Sequence, residues 1–108
     1  VPHGVANGIL FPYIVKYNEE AAFGKYRKIY NYISAEKKCE SEFSKGMLEQ
    51  AVRELNTQVG IPAKLSHAGV TDEYFAQMTE DAMKSGNIAV NPQKTVREDI
   101  LALYKEAL

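Results

Sequence analysis

The chain has 108 residues, with 13 basic and 14 acidic side chains and a formal net charge of −1. This length fits one compact domain and excludes a nucleotide-binding domain of about 150 residues joined to a separate catalytic domain. A content of 45% hydrophobic and 25% charged residues is typical of a globular protein and excludes a disordered or fibrous one. The balanced charge gives no bulk attraction to nucleic acid or to an anionic membrane, so neither is expected as a partner.

The cysteine count and the first residues indicate a cellular location. The one cysteine, Cys39, cannot form an intramolecular disulfide, which favours a reducing compartment and therefore the cytoplasm. The apolar run at residues 5–15 is interrupted by Asn7 and Gly8 and is too short to span a bilayer. A signal peptide would require a basic segment before this run, and none precedes it. Because the chain opens on Val1 rather than on Met, we expect it to be part of a longer protein.

Apolar residues recur at helical spacing along most of the chain, which predicts an all-α fold, a bundle of about five helices. The first helix covers residues 4–17 and is apolar nearly all round, so it is expected in the middle of the core. Pro12 lies inside it and removes one backbone donor. A kink or break is therefore predicted near residues 8–12.

A second helix is predicted over residues 19–33. Asn18 can cap it through its side-chain oxygen, and Glu19 and Glu20 suit the positive end of a helix. Its predicted buried stripe is Ala22, Tyr26, Ile29 and Ile33. The polar residues 34–44 are interpreted as a connection or as a solvated helix start.

A third helix is predicted from about residue 43 to Gly60, which has the C′ position, with Pro62 preventing its continuation. Its predicted buried face is Phe43, Met47, Ala51, Leu55 and Val59, widened by Leu48 and Val52.

Two further helices complete the prediction. Thr71 is expected to cap a fourth helix. Thr95 with Glu98 three residues later has the pattern of a capping box at the start of the last helix. The residues of this last helix predicted to face inward are Val96, Ile100, Leu103 or Tyr104, and Ala107.

The spacing of metal-binding residue types predicts no self-contained metal site. The histidines are His3 and His67, and no His-x-x-x-His, Glu-x-x-His or Cys-x-x-Cys spacing occurs. From spacing alone, both histidines are expected to be exposed rather than ligating.

Other chemical motifs are equally weak. No Gly-x-Ser-x-Gly pattern occurs, and Ser44-Lys45-Gly46 lacks the strand and helix that a nucleophile needs around it. Gly4 and Gly8 have no third glycine and no preceding strand, so no dinucleotide or phosphate loop is predicted.

A basic stretch with interleaved tyrosines could follow a phosphate backbone. It consists of Lys25, Tyr26, Arg27, Lys28, Tyr30, Lys37 and Lys38. Because acidic residues surround it, including Glu36 and Glu40, we interpret its tyrosines as core residues and its lysines as a solvated face.

The beginning of the chain resembles a known family. Residues 1–12, VPHGVANGILFP, resemble the motif Pro-His-Gly-x-x-Asn-(Ala/Gly)-x-x-x-Pro of iron-containing alcohol dehydrogenases, the group III type related in fold to dehydroquinate synthase. The segments at residues 60–62, 88–92 and 95–100 also look like the C-terminal region of that family. The resemblance covers essentially the whole chain.

The resemblance implies that residues 1–108 are a C-terminal helical metal-binding domain, with the N-terminal NAD(P)-binding α/β domain absent from the chain. By its place in the motif, His3 would be a ligand of Fe(2+) or Zn(2+). The other family ligands, an aspartate and two histidines, lie upstream of the motif, so the chain alone is expected to be inactive. The resemblance also implies that the loop at residues 87–90 approaches the substrate cleft, as the corresponding family loop does.

For the parent protein, the resemblance implies an NAD(P)-dependent dehydrogenase that oxidises a primary alcohol or diol, or reduces an aldehyde. The metal would act as a Lewis acid on the substrate oxygen while hydride passes to the nicotinamide. Assembly into a homo-oligomer is left open.

Two alternatives of other classes remain. One is a small helical protein-interaction module, in which His3 is merely exposed. The other is a nucleic-acid binder that uses the basic stretch, which would bind oligonucleotides with a steep dependence on salt.

Overall fold

The fold is built around one long helix. The computed structural model describes residues 2–34 and 42–108. Four α-helices lie within these residues: α1 (His3–Ile33), α2 (Met47–Gln58), α3 (Phe75–Met83) and α4 (Arg97–Ala107). Two 3-10 turns, Leu65–Ala68 and Asp72–Tyr74, lie between α2 and α3. The described residues contain no strand, so the prediction of an all-α fold is confirmed.

The first two predicted helices are one helix, α1, which is 31 residues long. The predicted break near residues 8–12 is wrong, because α1 continues through Pro12 and departs from helical backbone angles at Ala22, where φ is −126° and ψ is 21°. The predicted cap at Asn18 is also wrong. Asn18 and Glu19 lie inside α1 and are buried. The side chain of Asn18 hydrogen-bonds Asn91, and the carboxylate of Glu19 accepts from the backbone N–H of Gly46.

Two hydrophobic clusters hold the helices together. The larger one joins the first half of α1 to α3, α4 and the first 3-10 turn, and its buried residues are Ile9, Tyr13, Leu65, Phe75, Ile100, Leu103 and Ala107. The smaller one joins the middle of α1 to α2, and its buried residues are Val15, Phe43, Leu48 and Val52.

Several predicted core positions are exposed instead. Ile29 and Ile33 of α1, Leu55 of α2 and Val59, the residue after α2, are all about half exposed or more. Helical periodicity places each set on one face, but the position of the neighbouring helix decides which face is covered. In α2 the covered face carries Leu48 and Val52, which lie against the smaller cluster. The first part of α1 is also covered on one side only, since Phe11 is 53% exposed.

The predicted helix ends are partly correct. α2 ends as expected: Gly60 has a φ of 80°, and the N–H of Ile61 donates to the carbonyl of Asn56 at 2.8 Å, which closes the helix in a Schellman-type turn. The predicted capping box of Thr95 and Glu98 is wrong, because the N-cap of α4 is Val96, whose side chain has no hydrogen-bonding atom. The contact from the third helical residue back to the N-cap forms one residue later than predicted. The Asp99 carboxylate accepts from the backbone N–H of Val96 at 2.9 Å.

The start of the predicted fourth helix, which is α3 in the structure, also differs from the prediction. Thr71 precedes the 3-10 turn Asp72–Tyr74, and its side chain makes no capping hydrogen bond there.

Among the described residues, no helix is both long enough and apolar enough to cross a membrane.

Candidate metal-ligand site at the start of α1

The candidate site is the first turn of α1. The carbonyl of Pro2 accepts the first helical hydrogen bond, from the N–H of Ala6 at 3.0 Å. His3 is therefore the first residue of the helix, and its side chain is exposed. A ring in this place can give a lone pair to a metal ion without disturbing the core, because His3 belongs to neither hydrophobic cluster.

The ring of His3 lies within hydrogen-bonding distance of the side chain of Asn7. The Nδ2 atom of Asn7 lies 3.0 Å from Nε2 of His3. The two residues are four positions apart, so α1 places them on the same face, one above the other. The resemblance alone predicts no contact between Asn7 and His3, although a spacing of four residues on a helix is the signal that indicates it.

The described residues do not form a complete metal site. Within residues 2–34 and 42–108, no three His, Cys, Asp or Glu side chains come together as a possible metal site. His67 is exposed in the 3-10 turn Leu65–Ala68. Cys39 lies outside the described residues. An exposed imidazole fits the role of one ligand, and a metal held through His3 needs its further ligands from another part of the protein.

An open groove of about 420 Å³ runs along α1 from Asn7. We call it the α1 groove, and its apolar lining includes Leu10, Phe11, Ile14, Ile88 and Tyr104. Three of these side chains follow Asn7 at helical spacing, so the face of α1 that starts with His3 continues as an apolar wall. The loop between α3 and α4 forms the opposite edge through Asn87 and Ile88.

The loop at the edge of the groove is held by a pair of asparagines. Asn18 and Asn91 exchange two side-chain hydrogen bonds, both 2.8 Å long. Asn91 also donates to the carbonyl of Gln93 at 2.9 Å. Asn18 is buried, so these contacts fix the loop to the middle of α1.

The basic stretch lies on the second half of α1 as far as the structure describes it. Tyr26 and Tyr30 pack against the smaller hydrophobic cluster, and Lys25 and Lys28 are exposed, which agrees with the interpretation of core tyrosines and solvated lysines. Burial raises the pKa of Tyr26, and a hydrogen bond with Asn18 lowers it by less. The predicted residues Glu36, Lys37, Lys38 and Glu40 lie outside the described residues.

The remaining motif candidates have structural places. Gly4 lies in the first turn of α1, and Gly8 lies in its interior. Ser44 and Lys45 precede α2, and Gly46 is the N-cap of α2 with a φ of 90°.

Comparison with known proteins identifies relatives over the full length of the chain. The model of the Fe-containing alcohol dehydrogenase family, C-terminal, matches residues 1–108. Lactaldehyde reductase of Escherichia coli (strain K12) is 36% identical over 107 residues, which is 98% of this chain and 28% of that protein. The 1,3-propanediol dehydrogenase of Citrobacter freundii is 32% identical over 108 residues, which is 99% of this chain and 28% of that protein.

A solved structure of a 1,3-propanediol oxidoreductase has the same fold. It superposes with a TM-score of 0.84 and 31% sequence identity over 100% of this chain and 28% of the solved chain. The chain thus spans a little over a quarter of the length of these relatives. By sequence and by fold, the chain belongs to the Fe-containing alcohol dehydrogenase family, of which it matches the C-terminal domain.

Proposed function

We propose that the protein to which this chain belongs is a metal-dependent, NAD(P)-linked oxidoreductase that interconverts a small primary alcohol or diol and its aldehyde. The observation that carries the proposal is the place of His3. It occupies the histidine of the family motif, it is the first residue of α1, and its ring is exposed next to the start of an apolar groove. The names of the relatives, a lactaldehyde reductase and a 1,3-propanediol dehydrogenase, support small hydroxylated substrates.

In this proposal His3 supplies one ligand of Fe(2+) or Zn(2+). A neutral imidazole gives a lone pair from one nitrogen and keeps its proton on the other. A bound metal ion supplies Lewis-acid polarisation of the substrate oxygen. The first turn of α1 fixes the position of the His3 backbone, and the contact with Asn7 restricts the orientation of the imidazole ring. The chain itself contributes this ligand and part of an apolar wall.

The proposal also assigns what the chain lacks to the rest of the protein. NAD or NADP binds to an N-terminal α/β domain. The remaining metal ligands, an aspartate and two histidines, come from segments upstream of the motif at residues 1–12. The chain alone is inactive, because a single imidazole holds a divalent ion weakly and no other ligands join it among the described residues. The single cysteine of the chain supports a cytoplasmic location.

The experiment compares two histidine variants of the full-length protein. After loading with iron or zinc, we expect NAD(P)-dependent oxidation of short primary alcohols and diols. His3→Ala is expected to lose most of its bound metal and most of its turnover, with unchanged helical content by circular dichroism, since the side chain is exposed. His67→Ala is the matched control, because His67 is the other histidine and is also exposed. Unchanged metal stoichiometry and rate in His3→Ala would refute the assignment.

A further inference from the structure

The first part of α1 is apolar on more sides than the chain covers. Residues 4–15 contain no Lys, Arg, Asp or Glu. Ile9 and Tyr13 of this segment are buried in the larger hydrophobic cluster, but Phe11 is 53% and Ile14 36% exposed. A helix that is apolar nearly all round is normally buried all round, because an exposed helix face carries polar and charged side chains. The side of α1 with Phe11 and Ile14 is therefore expected to be covered by more protein.

The α1 groove, which Phe11 and Ile14 help to line, has a shape that suits a helix. From Asn7 to Ile14 it follows α1 for about 10 Å, which is two helical turns. Ile100 and Leu103 of α4 also line it and are buried. A backbone that enters an apolar groove loses its hydrogen bonds to water, and a helix satisfies most of these groups within itself. Side-chain ridges of a helix fit the grooves beside another helix.

A small alcohol does not fill this groove. Phe11 and Ile14 follow His3 by eight and eleven residues, so they lie about 12–17 Å further along the helix axis. A short-chain alcohol whose oxygen is bound at His3 cannot extend that far. The groove volume of about 420 Å³ is also in the range of pockets that bury much larger, drug-sized molecules. This exclusion of the substrate rests on the proposed function.

We propose that the α1 groove is the docking surface for an apolar helix from the part of the same polypeptide that precedes residue 1. The family model that matches residues 1–108 is that of the C-terminal part of the family. The solved relative superposes on all of this chain, which covers 28% of the solved chain. Nearly three quarters of that relative thus lie outside the match, which is ample length for a helix beside α1. The docking of this helix does not require that His3 binds a metal ion.

Photo-cross-linking in the full-length protein identifies what lies on the groove. Phe11→p-benzoylphenylalanine keeps an aromatic side chain and reacts on irradiation with the nearest C–H groups, and mass spectrometry identifies the joined peptides. Mixing nitrogen-15-labelled with unlabelled protein separates cross-links within one chain from those between copies. The expected product joins residue 11 to a peptide that precedes residue 1 in the same chain. A product between two copies, or one confined to residues 1–108, would overturn the proposal.

The reaction rates of introduced thiols measure how well the groove is covered. Ile14→Cys is expected to react with an alkylating reagent at least about 10-fold more slowly than Glu20→Cys, because a covered thiol reacts only in molecules that open locally. Glu20 is the matched control, since it is exposed on the same helix and does not line the groove. Equal rates would show that the groove is open, and protection that appears only with NAD(P) and an alcohol would assign it to the substrate. Either result overturns the inference.

These measurements also separate this inference from the proposed function. If His3→Ala keeps its metal and turnover while the thiol of Ile14→Cys is protected, the ligand assignment fails and the docking surface stands. If His3→Ala loses both while Ile14→Cys reacts like Glu20→Cys, the ligand assignment stands and the docking surface is wrong.

Discussion

The side-chain amide of Asn56 donates to the backbone carbonyl of Gly8 at 2.9 Å. In an α-helix that carbonyl accepts from the N–H four residues later, but here that residue is Pro12, which has no N–H. Asn56 lies on α2 and is 48 residues away. A side chain of one helix thus replaces the backbone donor that proline removes from the other, and α1 continues through Pro12 as a result.

Replacing Asn56 is expected to destabilise the fold. Asn56→Leu leaves the carbonyl of Gly8 without a protein donor at a half-buried contact, which costs about 1–3 kcal/mol. The free energy of unfolding from urea titration measures the loss. Gln58→Leu, an exposed position on the same helix, is the control and is expected to change stability by less than about 0.5 kcal/mol.

A double-mutant cycle shows whether the replaced donor is the cause. Pro12→Ala restores an N–H that can bond the carbonyl of Gly8, although it also removes packing of the buried ring. In that background Asn56→Leu is expected to cost about 0.5–2 kcal/mol less than in the wild type. Equal costs in the two backgrounds would show that Asn56 acts through something other than this carbonyl.

The two interior glycines of α1 are expected to respond differently to alanine. Gly24 has open space where a Cβ would go, so Gly24→Ala gains helix propensity and is expected to stabilise the fold by about 0.5–1 kcal/mol. At Gly8 a Cβ would lie 3.3 Å from Cγ2 of Ile61, which is a tight contact. Gly8→Ala is therefore expected to be less favourable than Gly24→Ala, as compared by urea unfolding. Ile61→Ala removes the neighbouring atoms, and in that background the two substitutions should become similar.

These contacts show which part of the fold was predictable. The helical periodicity predicts the all-α class, and Gly60 before Pro62 predicts the end of α2, because both signals depend on residues near one another in the sequence. Pro12 predicts a break because it lacks a backbone N–H, but the side chain of the distant residue Asn56 supplies the missing donor. The pairing of Asn56 with Gly8 cannot be found from local pattern, since it depends on how α2 packs on α1.

The same distinction applies to the candidate site. Residue order in the motif predicts His3 as a ligand, while spacing alone predicts only an exposed histidine. Asn7 could have been recognised from its helical spacing to His3. Asn18 and Asn91 could not, because they are 73 residues apart and meet only when the loop before α4 folds back on α1.

The stability of the chain is expected to fall at alkaline pH through Tyr104. Burial, followed by the negative charge of Asp81, raises the pKa of the Tyr104 phenol above its ordinary value of 10.0. The unfolded chain therefore loses this proton more easily than the folded chain. The resulting stabilisation is complete below about pH 10 and is lost as the pH rises through the higher folded pKa.

Tyr104→Phe isolates this contribution. The substitution keeps the ring that stacks on Phe75, where the two centroids are 5.6 Å apart, and removes the ionisable hydroxyl. Between pH 8 and about pH 11, the urea midpoint of the variant is expected to fall less than that of the wild type. Comparing each protein with itself at pH 8 removes any difference in packing. Parallel decreases in the two proteins would contradict the prediction.

Glu19 and Glu20 are adjacent on α1, and their substitutions are expected to change the free energy of unfolding by very different amounts. Glu19 is 3% exposed, and its Oε1 accepts from the backbone N–H of Gly46 at 2.6 Å. Gly46 is the N-cap of α2, where the backbone N–H groups lack helical partners and the helix dipole is positive. The carboxylate of Glu19 thus serves the start of a second helix from inside the first, while Glu20 is exposed.

Substitution of each glutamate by glutamine tests this difference. Glu19→Gln keeps an acceptor for the N–H of Gly46 but removes the charge, so it is expected to cost about 0.5–2 kcal/mol. Glu19→Leu removes the acceptor as well and is expected to cost more, because the N–H is then left without this partner. Glu20→Gln is expected to change the free energy of unfolding by less than about 0.5 kcal/mol. Hydrogen exchange of the amides at the start of α2 should rise in both Glu19 variants and not in Glu20→Gln. If all three variants exchange like the wild type, the Glu19 carboxylate does not stabilise the start of α2.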